Sequence, residues 1–271
     1  MHLQTKGEIN TQIKDIMTGD AVYVQEDNTV TNTRQIMRDH FLRGFPVVDH
    51  DGRVKGMVTD QDILNITSTR SDVIIGGFIR ECPLICPDCD IVAAAKMMLE
   101  ARMERCPVVK SENERELEGV VSVSDLLRNL NFPKRGNVTA SSIMSTDLMT
   151  CNPEDSISKV WANMLNNDYT GIPVISKKNE LLGMVTRRDV IKAGFVRVVL
   201  SDSHKSNPKD MPPVERIMST PAYTVDPHAS LDECRDIILH NDVGRVTVVD
   251  GSKPVGVVDR NDLLRACIDN S

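Results

Sequence analysis

The chain has 271 residues, enough for about two domains at ~150 residues each, and its 40% hydrophobic and 26% charged residues are those of an ordinary globular protein. A net charge of −7 argues against a nucleic-acid partner, which needs a basic face, and no apolar run approaches the roughly 20 residues that span a bilayer. Aromatic residues are only 3%, so the core is expected to be built from Ile, Val, Leu, Met and Ala.

The opening Met1-His2-Leu3-Gln4-Thr5-Lys6 lacks the basic-then-apolar form of a signal peptide. With seven Cys, an odd number, this reads as a chain of reduced thiols in the cytoplasm. Residues 1–12 form a polar arm. After Ile13-Lys14-Asp15-Ile16-Met17-Thr18, a short strand is expected at Ala21–Val24. Asp27-Asn28-Thr29 then caps a helix carrying Val30, Thr33, Met37 and Phe41 at helical spacing. Arg43-Gly44-Phe45-Pro46 ends it and leads into a strand. Asp49-His50-Asp51-Gly52 makes a hairpin turn, Val54–Val58 is the returning strand, and a helix starts at Asp60. The unit is β-α-β-β-α.

A second unit repeats it, with a strand at Pro83–Cys86, an Asp90-capped helix carrying Ile91, Ala94, Ala95, Met98 and Leu99, and a hairpin from Arg105-Cys106-Pro107-Val108-Val109 to Leu117–Val121. Asn131 to Asn137 reads as a linker. A third unit runs from Ile143-Met144-Ser145 through Ile157, Val160, Trp161 and Met164 to Gly171-Ile172-Pro173-Val174-Ile175 and Gly183-Met184-Val185. Polar residues 201–213 are an insert. The fourth unit begins at Ile217-Met218-Ser219, with Leu231, Cys234, Ile237 and Ile238 on its helix and Arg245–Val249 as its strand.

One segment is written four times at near-constant intervals. It is Gly56-Met57-Val58-Thr59-Asp60-Gln61-Asp62, then Gly119 to Asp125, Gly183 to Asp189 and Gly256 to Asp262. Such a period marks one supersecondary unit copied along the chain. A strand followed by Thr-x-x-Asp and a helix is, in any single copy, a capping device. Capping alone would accept Glu or Gln at the third position, yet Asp62, Asp125, Asp189 and Asp262 are all Asp. A short carboxylate beside free helix N–H groups also suits a pair of vicinal hydroxyls with a phosphate nearby.

With the Ile-Met-[Thr/Ser] openings at Ile16, Ile143 and Ile217 and the Pro-Val-[Val/Ile] strands, these segments resemble the cystathionine-beta-synthase (CBS) domain. The resemblance covers residues 13 to 268. It implies an α/β (α+β) fold of four β-α-β-β-α repeats, 13–68, 74–130, 141–195 and 214–271. These would pair into two Bateman modules, 13–130 and 141–271, joined by a linker at 131–140 and forming a flat pseudo-symmetric disk. The arrangement is similar to the gamma regulatory subunit of the AMP-activated protein kinase. Ligands containing adenosine would lie in clefts between repeats.

Carried over by position, Thr59 with Asp62, Ser122 with Asp125 and Thr186 with Asp189 would hold ribose, and Asp262 would do so in the fourth copy. There Asp259 replaces the hydroxyl and adds a negative charge beside any phosphate. Met17, Phe45, Pro46, Cys106, Pro107, Met144, Ile172 and Pro173 would line the adenine. Arg43, Arg105 and Arg245, three, two and one residues before Pro46, Pro107 and Val246, would meet phosphates, with Thr170 in that region of the third repeat. Arg187, Arg188 and Arg260 are second candidates, because a planar guanidinium binds phosphate through two bonds.

Cys82, Cys86 and Cys89 have the Cys-x3-Cys-x2-Cys spacing of iron–sulfur radical enzymes, but they fall on a strand and turn, and small thiols packed in a core are the plainer reading. The six His show no metal-ligand spacing. No nucleophile elbow, P-loop or Rossmann fingerprint is present. The expectation is a non-catalytic sensor without cofactor or metal, reading AMP, ADP or ATP and signalling to a regulated protein in trans, with a homodimer compatible. Alternatives are an S-adenosylmethionine or other adenosyl sensor, and a ligand-free oligomerisation scaffold.

Overall fold

The computed structural model describes residues 11–40, 42–64, 73–132, 138–193 and 212–269. The arm before residue 11, Phe41, most of the linker (133–137) and insert residues 201–211 lie outside the described residues.

In the first repeat β1 (Val24–Gln25) precedes α1 (Val30–His40), β2 (Gly44–Val48), β3 (Val54–Thr59) and α2 (Asp60–Leu64). Helix α1 starts where the Thr29 hydroxyl accepts from Asn32 N at 3.1 Å, and it buries Val30, Thr33 and Met37. The β2–β3 turn forms because the Asp49 carboxylate accepts from Asp51 N at 3.0 Å and Arg53 N at 2.9 Å, with Gly52 at φ +77. The second repeat supplies α3 (Ile91–Glu100), β4 (Arg105–Val109), β5 (Leu117–Ser122) and α4 (Val123–Asn129). Asp90 caps α3, accepting from Val92 N and Ala93 N. The third repeat contains α5 (Ala140–Ile143), α6 (Ile157–Asn166), β6 (Gly171–Ile175), β7 (Leu181–Thr186) and α7 (Arg187–Lys192). In the fourth, β8 (Thr224–Val225) is followed by α8 (Leu231–His240), β9 (Arg245–Asp250), β10 (Lys253–Asp259) and α9 (Arg260–Asp269).

Every repeat is built on one antiparallel hairpin. The leading strands are shorter than expected. Only Val24–Gln25 of the first is a strand, parallel to β2, and the Pro83–Cys86 stretch makes a single bridge from Ile85 to Val108. Proline has no N–H to give to a ladder, so Pro83 and Pro87 limit the pairing around Ile85.

The first turn of each repeat does not pack on its own repeat. Ile13 of the first repeat is buried among Ile85, Ile91 and Ala94 of the second, and Thr18 bridges to Val120. Conversely, Ile75 of the second joins the Val24, Val30 and Phe45 core of the first, and Arg80 bridges to Met57. The other pair does the same: Ala140 packs with fourth-repeat residues and Ser145 bridges to Val257, while Val214 enters the third-repeat core and Ser219 bridges to Met184. Ile13, Ile75 and Val214 are fully buried, and a buried aliphatic side chain contributes about 1.5–3 kcal/mol.

This exchange explains the repeated glycine. A Cβ at Gly119 would stand 2.6 Å from the Thr18 carbonyl oxygen, and one at Gly183 would stand 2.5 Å from that of Ser219. The neighbour's backbone crosses the hairpin there, and a side chain has no room. The two pairs are then joined by one core in which α3 and α4 of the second repeat meet α8 and α9 of the fourth. At its edge the Arg235 guanidinium lies over the Phe132 ring, 5.0 Å from its centroid.

Candidate ligand-binding site

The Thr/Ser-x-x-Asp segments are capping boxes. Asp62 Oδ2 accepts from Thr59 N at 2.9 Å and from its hydroxyl at 2.6 Å. Asp125 does the same for Ser122 at 2.9 and 2.6 Å, and Asp189 for Thr186 at 2.8 and 2.6 Å. In the fourth copy Asp262 Oδ2 accepts from Asp259 N at 2.9 Å, while Asp259 Oδ1 accepts from Asn261 N and Asp262 N at 2.8 and 3.0 Å. One carboxylate oxygen serves the cap. The other meets an arginine in two copies: Asp62 Oδ1 pairs with Arg80, and Asp125 Oδ1 with Arg128 at 3.1 Å. Asp262 is pushed up to about 6, by burial first and by the neighbouring Asp259 second.

The strand registers place cations beside these caps. Arg105 is the cross-strand partner of Ser122, and Arg245 that of Asp259; Gly44 and Gly171 stand opposite Thr59 and Thr186. The register puts Arg245 two residues before Thr247, as Arg105 is two before Pro107, so Thr247 and not Val246 matches the proline. Arg43 sits one step earlier, where the carbonyls of Arg43, Glu104, Thr170 and Gly244 accept from the first N–H of each motif helix.

Three of these arginines feel one another's surroundings. Burial works against the Arg43 cation, but Asp60, Glu104 and Asp168 outweigh it and hold it above its ordinary value. Burial pushes Arg105 down, with Arg260 adding to the push and Asp125 and Glu104 opposing it. Burial also lowers Arg245, assisted by Arg43 against Asp259, Glu104 and Asp262. Residues of all four repeats therefore share one central field. Arg43 Nε donates to Asp60 at 3.2 Å, and Arg245 donates to the Thr170 hydroxyl and, at 3.2 Å, to the Gly171 carbonyl. Arg105 makes no hydrogen bond and no ion pair with any described residue.

The remaining arginines divide. Arg187 is 2% exposed and donates to the Met164 carbonyl at 2.8 Å and Asp168 at 3.1 Å, so it is a buried strut of its own repeat and not a free phosphate contact. Arg188 and Arg260 both pair with Asp242, at 3.2 and 3.3 Å. No motif in the sequence points to Glu104, Asp168 or Asp242. Asp168 and Asp242 occupy matching positions after α6 and α8 with positive φ, of 55 and 48, which is the one local signal they carry.

Strand alternation corrects three of the expected adenine contacts. Phe45, Cys106 and Ile172 point to the helix side, 0%, 0% and 1% exposed, and belong to the cores of their repeats. Their neighbours Pro46, Pro107 and Pro173 occupy the opposite face. Met17 and Met144 lie beside the repeated glycines: Met17 Sδ would be 3.2 Å from a Cβ on Gly119, and a Cβ on Gly256 would run into Met144 Sδ.

Residues 13–68, 75–131, 140–195 and 214–269 each match the CBS domain. The chain belongs to the CBS domain family. An uncharacterized protein of Methanocaldococcus jannaschii is 28% identical over 268 residues; the alignment takes in 96% of this chain and 63% of that protein, so the chain spans less than two thirds of this relative's length. An uncharacterized 33.4 kDa protein of Thermofilum pendens is 24% identical over 265 residues, 89% of this CBS chain and 86% of that protein. Among solved structures, a Methanocaldococcus jannaschii protein proposed as an archaeal homolog of g-AMPK superposes with a TM-score of 0.77 at 20% identity, over 94% of this chain and 99% of that one. A conserved protein of Pyrococcus horikoshii does so with a TM-score of 0.67 at 21% identity, over 95% and 100%. Both share the four-repeat fold. Among the described residues no helix is long and apolar enough to cross a membrane, and no group of three or more His, Cys, Asp or Glu is placed to hold a metal.

Proposed function

We propose that this CBS protein is a regulatory sensor that binds adenine nucleotides in the clefts between paired repeats, with their phosphates toward the shared centre, and signals to a protein partner in trans. CBS domain proteins are regulatory and bind adenosine compounds, which supports the class of ligand. The observation that carries the reading is Arg105. It is a half-buried cation with no hydrogen bond or ion pair among the described residues, its register mate is the Ser122 that leads into Asp125, and burial disfavours its charge. A phosphate attached to a diol would give the Arg105 guanidinium its partner while the hydroxyls reach Ser122 and Asp125. In the fourth repeat, Asp259 and Asp262 favour an adenosyl compound without a phosphate at that end, such as S-adenosylmethionine.

Capping and ligand binding are separable. Glu is the ordinary third residue of a capping box, so Asp125→Glu keeps the cap while moving the carboxylate away from the diol. Calorimetric titration with AMP, ADP, ATP and S-adenosylmethionine should show weakened binding in Asp62→Glu, Asp125→Glu and Asp189→Glu, with melting temperatures near that of the parent. Undiminished nucleotide affinity in all three would remove the assignment and leave a self-associating scaffold.

A further inference from the structure

We infer that Cys86 and Cys89 are a reversible dithiol–disulfide pair, oxidised by low-molecular-weight disulfides, whose state sets how tightly the second repeat clasps the first turn of the chain. The two cysteines are the ends of the turn Cys86-Pro87-Asp88-Cys89, closed by Cys89 N donating to the Cys86 carbonyl at 3.0 Å. Such a turn holds its end Cα atoms within about 7 Å, and a disulfide needs them roughly 4.4–6.8 Å apart. Both residues are partly exposed, as is Cys82, whereas Cys106, Cys151, Cys234 and Cys267 are buried.

The same turn is the receptor for the exchanged segment. Ile13 N donates to the Cys89 carbonyl at 3.1 Å and Lys14 N to the Pro87 carbonyl at 2.8 Å, while Lys14 Nζ meets Asp88 at 2.7 Å. A cross-link here restrains the carbonyls that hold residues 13 and 14, and through them Met17 and Thr18 beside Gly119.

Burial first, then Asp90 and Cys86, push the Cys89 thiol up, which suits Cys89 to the second, resolving step. The Cys86 thiolate attacks one sulfur of the small disulfide, releasing a thiolate and forming a mixed disulfide. Deprotonated Cys89 then attacks Cys86 Sγ, the protein disulfide forms, and the second small thiolate leaves. The protein loses two electrons and two protons, and the small disulfide becomes two thiols. None of this depends on nucleotide binding.

The test equilibrates the intact protein across a series of reduced and oxidised glutathione, quenches with acid, alkylates with N-ethylmaleimide and sequences the peptide from Glu81 to Lys96 by mass spectrometry. At the oxidising end Cys82 should carry the label and Cys86 and Cys89 should not, reversibly. Cys82→Ala should keep this behaviour, and Cys86→Ser should abolish it. Amide exchange at Ile13 and Lys14 should slow several-fold on oxidation. Full labelling of all three thiols at every ratio, or a bond from Cys82 instead, would overturn the pairing. Equal exchange at Ile13 and Lys14 in both states would overturn the clasp.

Discussion

Arg105 and Asp262 are each held in an uncomfortable charge state, and each makes an expectation at the scale of one side chain. Removing the Arg105 charge as Arg105→Gln takes away a charge-assisted bond of about 1.5–3 kcal/mol from a bound phosphate, so nucleotide affinity should fall roughly ten- to hundredfold. The fold should hold, since the guanidinium makes no hydrogen bond or ion pair among the described residues and its burial works against its charge. Titration calorimetry beside thermal melts checks this, and a melting temperature that drops with affinity would make Arg105 structural. The folded pKa of Asp262 is pushed up to about 6, above the ordinary range of an aspartate, by burial first and Asp259 second. The folded state therefore binds the extra proton, and this group's contribution to stability is present at low pH and fades as pH rises from about 4 through about 6. Asp262→Asn should flatten that fall in urea midpoints, and Asp259→Asn should reduce it in part, because burial is the larger cause.

Elements, rather than residues, determine where the sequence is readable. Helix starts are local matters, so Asp90 and Thr29 announced their caps, and Val30, Thr33 and Met37 announced the buried face of α1. Strand faces are local too: period-two alternation in β4 separates Cys106 and Val108 from Arg105 and Pro107, and a contact assigned by adjacency to a motif loses that distinction. The exchange of first turns is different in kind. Nothing between residues 11 and 18 marks a partner near residue 90 or 120, because the match is one of shape between segments far apart in the chain. Its one trace is the recurring glycine. Gly183→Ala should cost more than 1 kcal/mol by overpacking against the fixed Ser219 carbonyl. Gly256→Ala should cost less, because it meets the Met144 side chain, with Cγ at 2.7 Å and Cβ at 3.0 Å, and not a backbone carbonyl, and an unbranched side chain can be re-aimed. Chemical denaturation of the two variants checks the order.

For the whole molecule, the core that joins the second and fourth repeats makes the halves interdependent. Leu126, Leu127, Leu263, Leu264 and Cys267 are all buried in that shared cluster, on the helices that meet across it. A protein cut in the 133–137 stretch should stay as one particle by light scattering. Its halves expressed apart should self-associate or precipitate, since each presents that apolar face to water; two monomeric, stable halves would contradict the shared core. The central arginines likewise belong to no single repeat: Arg43, Arg105 and Arg245 come from three, and Glu104 reaches all of them. A ligand there would report on all four repeats together.

Swapping an opening turn with a neighbour also constrains how such a chain can grow. A solitary extra copy would arrive with a hook and no eye to fasten it, and with an eye that nothing fills. The four matched repeats, taken two at a time, leave every one of these clasps engaged.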